Sequence, residues 1–257
     1  MRRSEMRYEE IPTGRMYDDL ARLWPWISPP EDYEEEAQFW KAALRAKLGR
    51  GRHRVLELGV GGGHHLSHLC GDLDATAVDL SEAMMAHSQR LNPRVEHLVG
   101  DMRTVRLGRT FDAVLIHDAI DYMLSVSDLR ATFGTAKAHL RPGGVFLVAP
   151  DYTCETFEDG AIYSRSTSGD GLRLSHVEID FDPNPSDTTI ESLMLSLIRE
   201  GDEIKVELDR HTVGLFPRQT WMAELSACGF DVECWPTRDD DDPRQRELYV
   251  CVLAGVS

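Results

Sequence analysis

The stretch Val55-Leu56-Glu57-Leu58-Gly59-Val60-Gly61-Gly62-Gly63 decides the fold. A short apolar run reads as a buried strand, breaks into glycines, and is followed by the helical run His64–Cys70. A strand, a glycine turn and a helix together make a nucleotide-type loop. Glycine tolerates left-handed backbone and lets a ligand lie directly against the main chain. The dinucleotide pattern G-x-G-x-x-G needs glycine at 64, where His64 stands, and this counts against an NAD-dependent dehydrogenase. A phosphate loop needs Gly-Lys-Ser/Thr, which does not follow. What remains is E-x-G-x-G-x-G, with Glu57 inside the strand.

Outward from the loop, strands and helices alternate. Apolar strands are expected at Val55–Val60, Ala75–Leu80, Val95–Val99, Phe111–His117 and Val145–Ala149. Helices are expected from Ser81, as N-cap, to Leu91, and from Ser127 to Leu140, where Arg141-Pro142-Gly143-Gly144 stops the second. This alternation predicts an α/β fold with a doubly wound, mostly parallel, seven-stranded sheet. Upstream, a short helix at Tyr17–Leu23 precedes a break at Trp24-Pro25-Trp26, and a longer helix spans Asp32–Leu48 with Asp32 as N-cap and Gly49 as stop. Downstream, Leu172–Phe181, Thr188–Arg199 and Glu203–Leu215 read as an inserted antiparallel meander. A helix at Pro217–Cys228 and a closing antiparallel pair, Phe230–Trp235 with Glu247–Leu253, complete the core. Arg238-Asp239-Asp240-Asp241-Asp242-Pro243-Arg244 reads as a solvated loop. The expected organisation is an N-terminal helical lid at 1–50, a cofactor-binding core at 51–155, a β insertion covering the substrate at 156–216, and a return to the core at 217–257.

Bulk properties narrow the partners. The net charge of −16 repels phosphate backbones and anionic lipid heads, so neither nucleic acid nor a membrane is an expected partner. Such a field favours a cationic small molecule, although acidity also simply confers solubility. Five cysteines without a CxxC pair, no signal segment and no membrane-length apolar run point to a cytoplasmic protein with reduced thiols. An exposed edge of the insertion offers a second copy a strand to pair with, so a homodimer is considered.

Several polar residues follow the loop at informative spacing. Asp79, twenty positions after Gly59, ends the second strand, where an acid can bind a ribose diol or simply serve a turn. Met84 can pack on a base or into the core. After the third strand come Gly100-Asp101-Met102, and a carboxylate there can accept from an exocyclic amine. Together with Phe111-Asp112-Ala113-Val114 and Leu140-Arg141-Pro142-Gly143-Gly144, these segments resemble the successive motifs of class I S-adenosylmethionine (SAM)-dependent methyltransferases over about residues 50–150. That resemblance implies SAM as cofactor and S-adenosylhomocysteine as its product. It assigns the methionine part to Glu57, Gly59, Gly61 and Gly63, the ribose to Asp79 with Leu80, and the adenine to Met84, Asp101 and Met102.

A narrower likeness covers the flanks. Tyr17-Asp18, Asp32-Tyr33, Glu35-Glu36-Ala37, the β insertion and Arg210-His211-x-x-x-Leu215-Phe216-x-Arg218 resemble the sugar N-methyltransferases of actinobacterial antibiotic pathways and, more distantly, glycine N-methyltransferase. It implies that an N-terminal tyrosine closes over SAM, which nominates Tyr17, also as a catalytic residue, and Tyr33. The sequence departs from the sugar enzymes after the fourth strand, at His117-Asp118-Ala119-Ile120-Asp121-Tyr122-Met123. His117 can act as a general base or merely sit beside the cofactor, and Asp118 can orient it or hold a substrate ammonium. Asp121, Tyr122, His211 and Arg218 are candidate substrate contacts. His64 and His68 have zinc-compatible spacing but no evident third ligand, so no metal is expected. Trp24, Trp26, Trp40 and Trp221 suit a lid or a core equally. The leading expectation is methylation of an amine nitrogen on a small molecule, such as an amino sugar of specialised metabolism. O-methylation with His117 as base and a non-catalytic SAM-binding scaffold are the alternatives.

Overall fold

The computed structural model describes residues 6–236 and 246–255. The 238–244 loop therefore lies outside the described residues. The N-terminal segment is a string of 3-10 turns at Tyr8–Glu10, Arg15–Tyr17 and Ala21–Leu23, then α1 (Trp24–Ile27) and a further 3-10 turn at Pro30–Tyr33. Two expectations fail here. No helix spans Tyr17–Leu23, and the expected break at Trp24-Pro25-Trp26 is itself a helical turn, with Pro25 in a first turn that needs no N–H from it. Asp32 does not cap α2 (Glu34–Leu48), since Tyr33 takes that position and Asp32 pairs with Arg165 at 2.6 Å. Gly49, at φ +79°, does end α2.

The core proceeds through β1 (His53–Leu58), α3 (His64–Leu69), β2 (Leu73–Asp79), α4 (Glu82–Leu91), β3 (Glu96–Val99), β4 (Phe111–Ile116), α5 (Val126–Ala138) and β5 (Leu140–Val148). The four-stranded insertion is β6 (Ala161–Gly169), β7 (Leu172–Phe181), β8 (Thr189–Glu200) and β9 (Glu203–Gly214). α6 (Arg218–Ala227), β10 (Phe230–Pro236) and β11 (Glu247–Leu253) return to the core. The large sheet has seven strands in the order β10-β11-β5-β4-β1-β2-β3, and β11 is antiparallel to both of its neighbours. The smaller sheet runs β6-β7-β8-β9, antiparallel throughout.

Side-chain alternation fixes the layers. Leu56, Leu58, Val114 and Ile116 face α5 and α6 through Phe133, Leu129, Trp221 and Leu225. Val55, Ala113, Leu115 and Leu147 face α2 and α3 through Trp40, Leu44, Leu66 and Leu69. A sheet buried on both sides explains why its strands read as continuous apolar runs. Trp40 and Trp221 are therefore core residues, 0% and 1% exposed, and not parts of a lid. Arg141–Gly144 does not stop a helix from outside the sheet. These residues lie within β5, whose pairing with β4 shifts register between Phe111 and Ala113.

The insertion packs one face onto the N-terminal segment: Met16, Leu20 and Leu23 meet Leu174 and Ile198. Thr13 bridges Arg210, and Arg210 N–H donates to the Pro12 carbonyl. Strand order reverses beside β1, with β2 on one side and β4 on the other. The carboxyl ends of those strands diverge there and open a crevice, the usual ligand position in open α/β sheets.

Candidate active site

A cavity of about 290 Å³ lies in that crevice. This is close to the lower end of small-molecule sites, roughly 300 Å³ upward. The loop after β1 forms its floor. Gly59, Gly61 and Gly63 have φ of +76°, +52° and +72°, left-handed values that exclude other residues at low cost. A Cβ at Gly59 would overlap Ala119 and stand 2.8 Å from Met102 Cε; one at Gly63 would overlap Ser88 and Asn92. The loop is held from behind, because Asn92 Nδ2 donates to Gly63 O at 2.9 Å.

Asp79, at the tip of β2, accepts from Gly61 N–H at 2.7 Å and from Ser81 N–H at 2.8 Å. Burial raises its pKa against those backbone donors. The turn role of Asp79 is thus seen directly, and its carboxylate also lines the cavity. Ser81 caps α4 by accepting from Met84 N–H at 3.0 Å, and its hydroxyl donates to the Tyr17 carbonyl at 2.6 Å. A cap of the core helix thereby anchors the N-terminal segment over the cavity.

Tyr17, Tyr33, Glu57, Leu80, Met84, Asp101, Met102, His117, Asp118 and Tyr122 also line the cavity. Asp101 is engaged by Arg103 at 2.6 Å, and that guanidinium holds its carboxyl below the usual range. Glu57 Oε2 and both ring nitrogens of His65 are buried without hydrogen-bond partners. Glu57 is 2% exposed and His65 4%. Such groups suit a polar ligand that brings its own donors and acceptors, as the ammonium and carboxylate of a methionine moiety would. With the glycine cradle and the apolar Met84 and Met102, the residues present fit SAM.

His117 sits at the exit of β4, 2.9 Å from Glu36 Oε2 and 3.1 Å from Asp118 Oδ1. The Glu36 contact is an ion pair without hydrogen-bond alignment. Burial alone would lower the His117 pKa, but the two carboxylates outweigh it and hold the ring well above its ordinary value. Burial likewise opposes ionisation of Glu36, and His117 and Arg246 overcome it. An imidazolium fixed between two acids has no lone pair to offer, so this arrangement disfavours the general-base reading of His117.

Three expected substrate contacts do not reach the cavity wall. Asp121 turns beneath the segment and accepts from Asp151 N–H at 2.9 Å; burial and then Asp151 raise its pKa strongly. Arg218 starts α6 and is paired with Glu247 on β11. His211 stands behind Tyr122, which separates it from the open space. His64 and His68 point their nitrogens at the carbonyls of Ser28 and Pro30. Among the described residues no set of three or more His, Cys, Asp or Glu side chains is placed to hold a metal. Trp24 lines the cavity, while Trp26 joins the cluster beneath the insertion.

Sequence reasoning missed Glu36, His65 and Arg103. Glu36 and His65 gain significance only through His117 on another element, which Glu36 pairs with and His65 stacks against, whereas Arg103 stands two residues after Asp101 and was signalled by that spacing. It also missed Asp209, whose carboxylate is 2.8 Å from His211 Nε2. The i, i+2 spacing of Asp209 and His211 on a strand was the available signal, since it puts both on one face.

Residues 55–144 match the methyltransferase domain family. The dTDP-3-amino-3,4,6-trideoxy-alpha-D-glucopyranose N,N-dimethyltransferase of Streptomyces venezuelae is 29% identical over 231 residues, covering 89% of this chain and 94% of that protein. The dTDP-3-amino-3,6-dideoxy-alpha-D-glucopyranose N,N-dimethyltransferase of Streptomyces fradiae is 27% identical over 85% of this chain and 86% of its own length. Among solved structures, Streptomyces venezuelae DesVI superimposes with a TM-score of 0.78 at 27% identity, covering 97% of this chain and all of the other. The sugar N-methyltransferase KedS8 from a Streptoalloteichus species gives 0.80 at 25% identity, covering 99% of each chain. The likeness therefore extends past the core into the N-terminal segment and the four-stranded sheet.

Proposed function

We propose that this chain, which carries a SAM-dependent methyltransferase domain over residues 55–144, methylates the amine nitrogen of an amino sugar, in nucleotide-linked form. The observation that carries the reading is full-length similarity to sugar N,N-dimethyltransferases, insertion included, rather than to the core alone. When bound, SAM supplies an electrophilic sulfonium methyl group. The glycine loop, Glu57 and Asp79 would hold it, with Met84, Asp101 and Met102 around the adenine. Tyr17 and Tyr33 would close over it from the N-terminal segment, excluding water. Asp118, whose side chain is 38% exposed, is the anionic group best placed to receive a substrate ammonium.

This assigns His117 a holding role. It fixes Glu36 on α2 and Asp118 on the β4 exit, joining lid and core. O-methylation would need a base to strip a hydroxyl, and an ion-paired imidazolium is poorly suited to that. The five cysteines are unpaired, and among the described residues no helix is long and apolar enough to cross a membrane, which suits a cytoplasmic enzyme. The free edge of β6 and the exposed Ile162 offer a second copy a place to pair, and light scattering on the purified protein tests that dimer.

The acceptor is tested with matched nucleotide-linked sugars that differ only in bearing an amine or a hydroxyl at one carbon. Turnover of the amine alone is expected. Methylation of the hydroxyl compound at equal or greater kcat/KM would overturn the reading.

A further inference from the structure

A line of polar groups leads from the cavity wall into the insertion. The phenol oxygens of Tyr17 and Tyr122, both on the wall, are 2.8 Å apart. Tyr122 Oη is 2.6 Å from His211 Nδ1, and His211 Nε2 is 2.8 Å from Asp209 Oδ2. His211 is 4% exposed and Asp209 1%. Asp209 also accepts from Met16 N–H at 2.6 Å, which ties the turn bearing Tyr17 to β9. The four groups come from three separate parts of the chain, yet they form one continuous series of contacts.

We infer that Tyr17, Tyr122, His211 and Asp209 form a proton relay that draws a proton from the acceptor ammonium. The inference rests on the amino-sugar reading above. Asp209 is held ionised: burial opposes this, but His211 and the backbone donors outweigh it. A carboxylate only accepts, so His211 must carry hydrogen on Nε2. With a neutral ring Nδ1 accepts from the Tyr122 hydroxyl, and the Tyr17 hydroxyl must rotate to donate to Tyr122. With His211 protonated the two bonds nearer the cavity reverse, to the direction in which Tyr122 donates to Tyr17: Nδ1–H donates to Tyr122, Tyr122 donates to Tyr17, and Nε2–H still donates to Asp209. Both directions satisfy all four groups, which is what proton transfer along the line requires.

The tyrosines are conduits rather than resident bases. Burial, with Asp118 contributing to both, raises the pKa of Tyr17 and of Tyr122 strongly, so each rests as a phenol. The charged groups facing the pair are Asp118 on the β4 exit, Asp79 on β2 and Glu178 on β7, and none is a cation. Ser192 on β8 lies opposite His211 in the register.

The acceptor ammonium gives one proton to a phenol oxygen, that phenol passes its own proton on, and His211 becomes an imidazolium beside Asp209. The freed nitrogen lone pair forms the N–methyl bond. The carbon–sulfur bond breaks with its electron pair on sulfur, leaving a thioether. Tyr17 and Tyr122 border the reacting groups; His211 and Asp209 act through them as positioning residues.

The test compares wild type with Tyr122→Phe and Asp209→Asn, both nearly isosteric, on an amino-sugar acceptor at pH 6.5 and pH 9. A sugar amine with a pKa of about 8, like a chain-terminal amine, arrives charged at the lower pH and mostly neutral at the higher. Each variant should lose at least tenfold in kcat at pH 6.5 and recover most of it at pH 9, with little change in KM. Partial misfolding lowers both rates equally and leaves their ratio intact. An equal fractional loss at both pH values, or no loss, would overturn the relay while wild-type turnover still upheld the acceptor. Absence of wild-type turnover on any amine would sink both. Nitrogen-15 NMR of histidine-labelled protein gives a readout without turnover: neutral His211 should carry its hydrogen on Nε2, and finding it on Nδ1 would contradict the relay.

Discussion

Replacing Gly59 by alanine probes how closely the loop is built around its ligand, with Gly61→Ala as the matched comparison. Both glycines have positive φ, +76° and +52°, so alanine at either costs ~1–2 kcal/mol of backbone strain. They differ in surroundings. A Cβ at Gly61 meets only Met84 Cε, at an ordinary 3.7 Å. A Cβ at Gly59 overlaps Ala119, a short side chain that can yield only if the 118–122 turn moves. Overpacking of that kind adds ~1–3 kcal/mol. Gly59→Ala should therefore destabilise by ~2–5 kcal/mol and Gly61→Ala by ~1–2 kcal/mol. For a chain of this size the melting temperature should fall by about 10 °C and about 4 °C respectively. Moving Ala119 also displaces Asp118 and Tyr122, so Gly59→Ala should weaken S-adenosylhomocysteine at least tenfold, about 1.4 kcal/mol. Differential scanning fluorimetry and calorimetry read both quantities. Equal losses in the two variants, or unchanged affinity in Gly59→Ala, would refute the reasoning.

Further outcomes follow from the buried charges and caps. His117→Gln takes from Glu36 and Asp118 the cation they share, leaving Glu36 to Arg246, and should cost up to ~3–5 kcal/mol, as breaking a buried pair does. In wild type the raised His117 pKa stabilises fully below the unfolded histidine value near 6.5, and that contribution is lost as pH rises through the folded value; denaturant titrations across that range read it. His176 on β7 behaves oppositely. Burial lowers it to about 4, so stability present above pH 6.5 falls as pH drops towards 4, by about 3 kcal/mol, and His176→Leu should flatten that acid limb in urea titrations. Ser81→Ala removes the cap of α4 and the bond to the Tyr17 carbonyl, and should cost ~1–2 kcal/mol with faster proteolysis of the N-terminal segment.

Legibility in the sequence tracked how local each determinant is. The glycine loop, the Ser81 cap and the Gly49 stop are set by backbone geometry within a few residues, and all three stand where the pattern put them. Buried parallel strands announced themselves as unbroken apolar runs. β6 escaped because Tyr163-Ser164-Arg165-Ser166-Thr167-Ser168 alternates around half-exposed polar residues, with little apolar material to mark an edge strand. Asp79 and Asp101, picked out by their places after the second and third strands, both line the cavity. The fate of His117 was not readable, because its charge state depends on Glu36, eighty-one positions away and on another element. Arg218 looked like a substrate contact from a short motif, and Glu247, which claims it, is visible only once β11 is in place.

The central claim is transfer from SAM to an amine nitrogen, and one measurement meets it directly. The enzyme is incubated with SAM bearing a carbon-13 methyl group and a nucleotide-linked amino sugar, and the product is examined by carbon–proton NMR and mass spectrometry. The account predicts one or two labelled methyl groups attached to nitrogen. Label attached to oxygen, or no incorporation under conditions where S-adenosylhomocysteine binds, would contradict it.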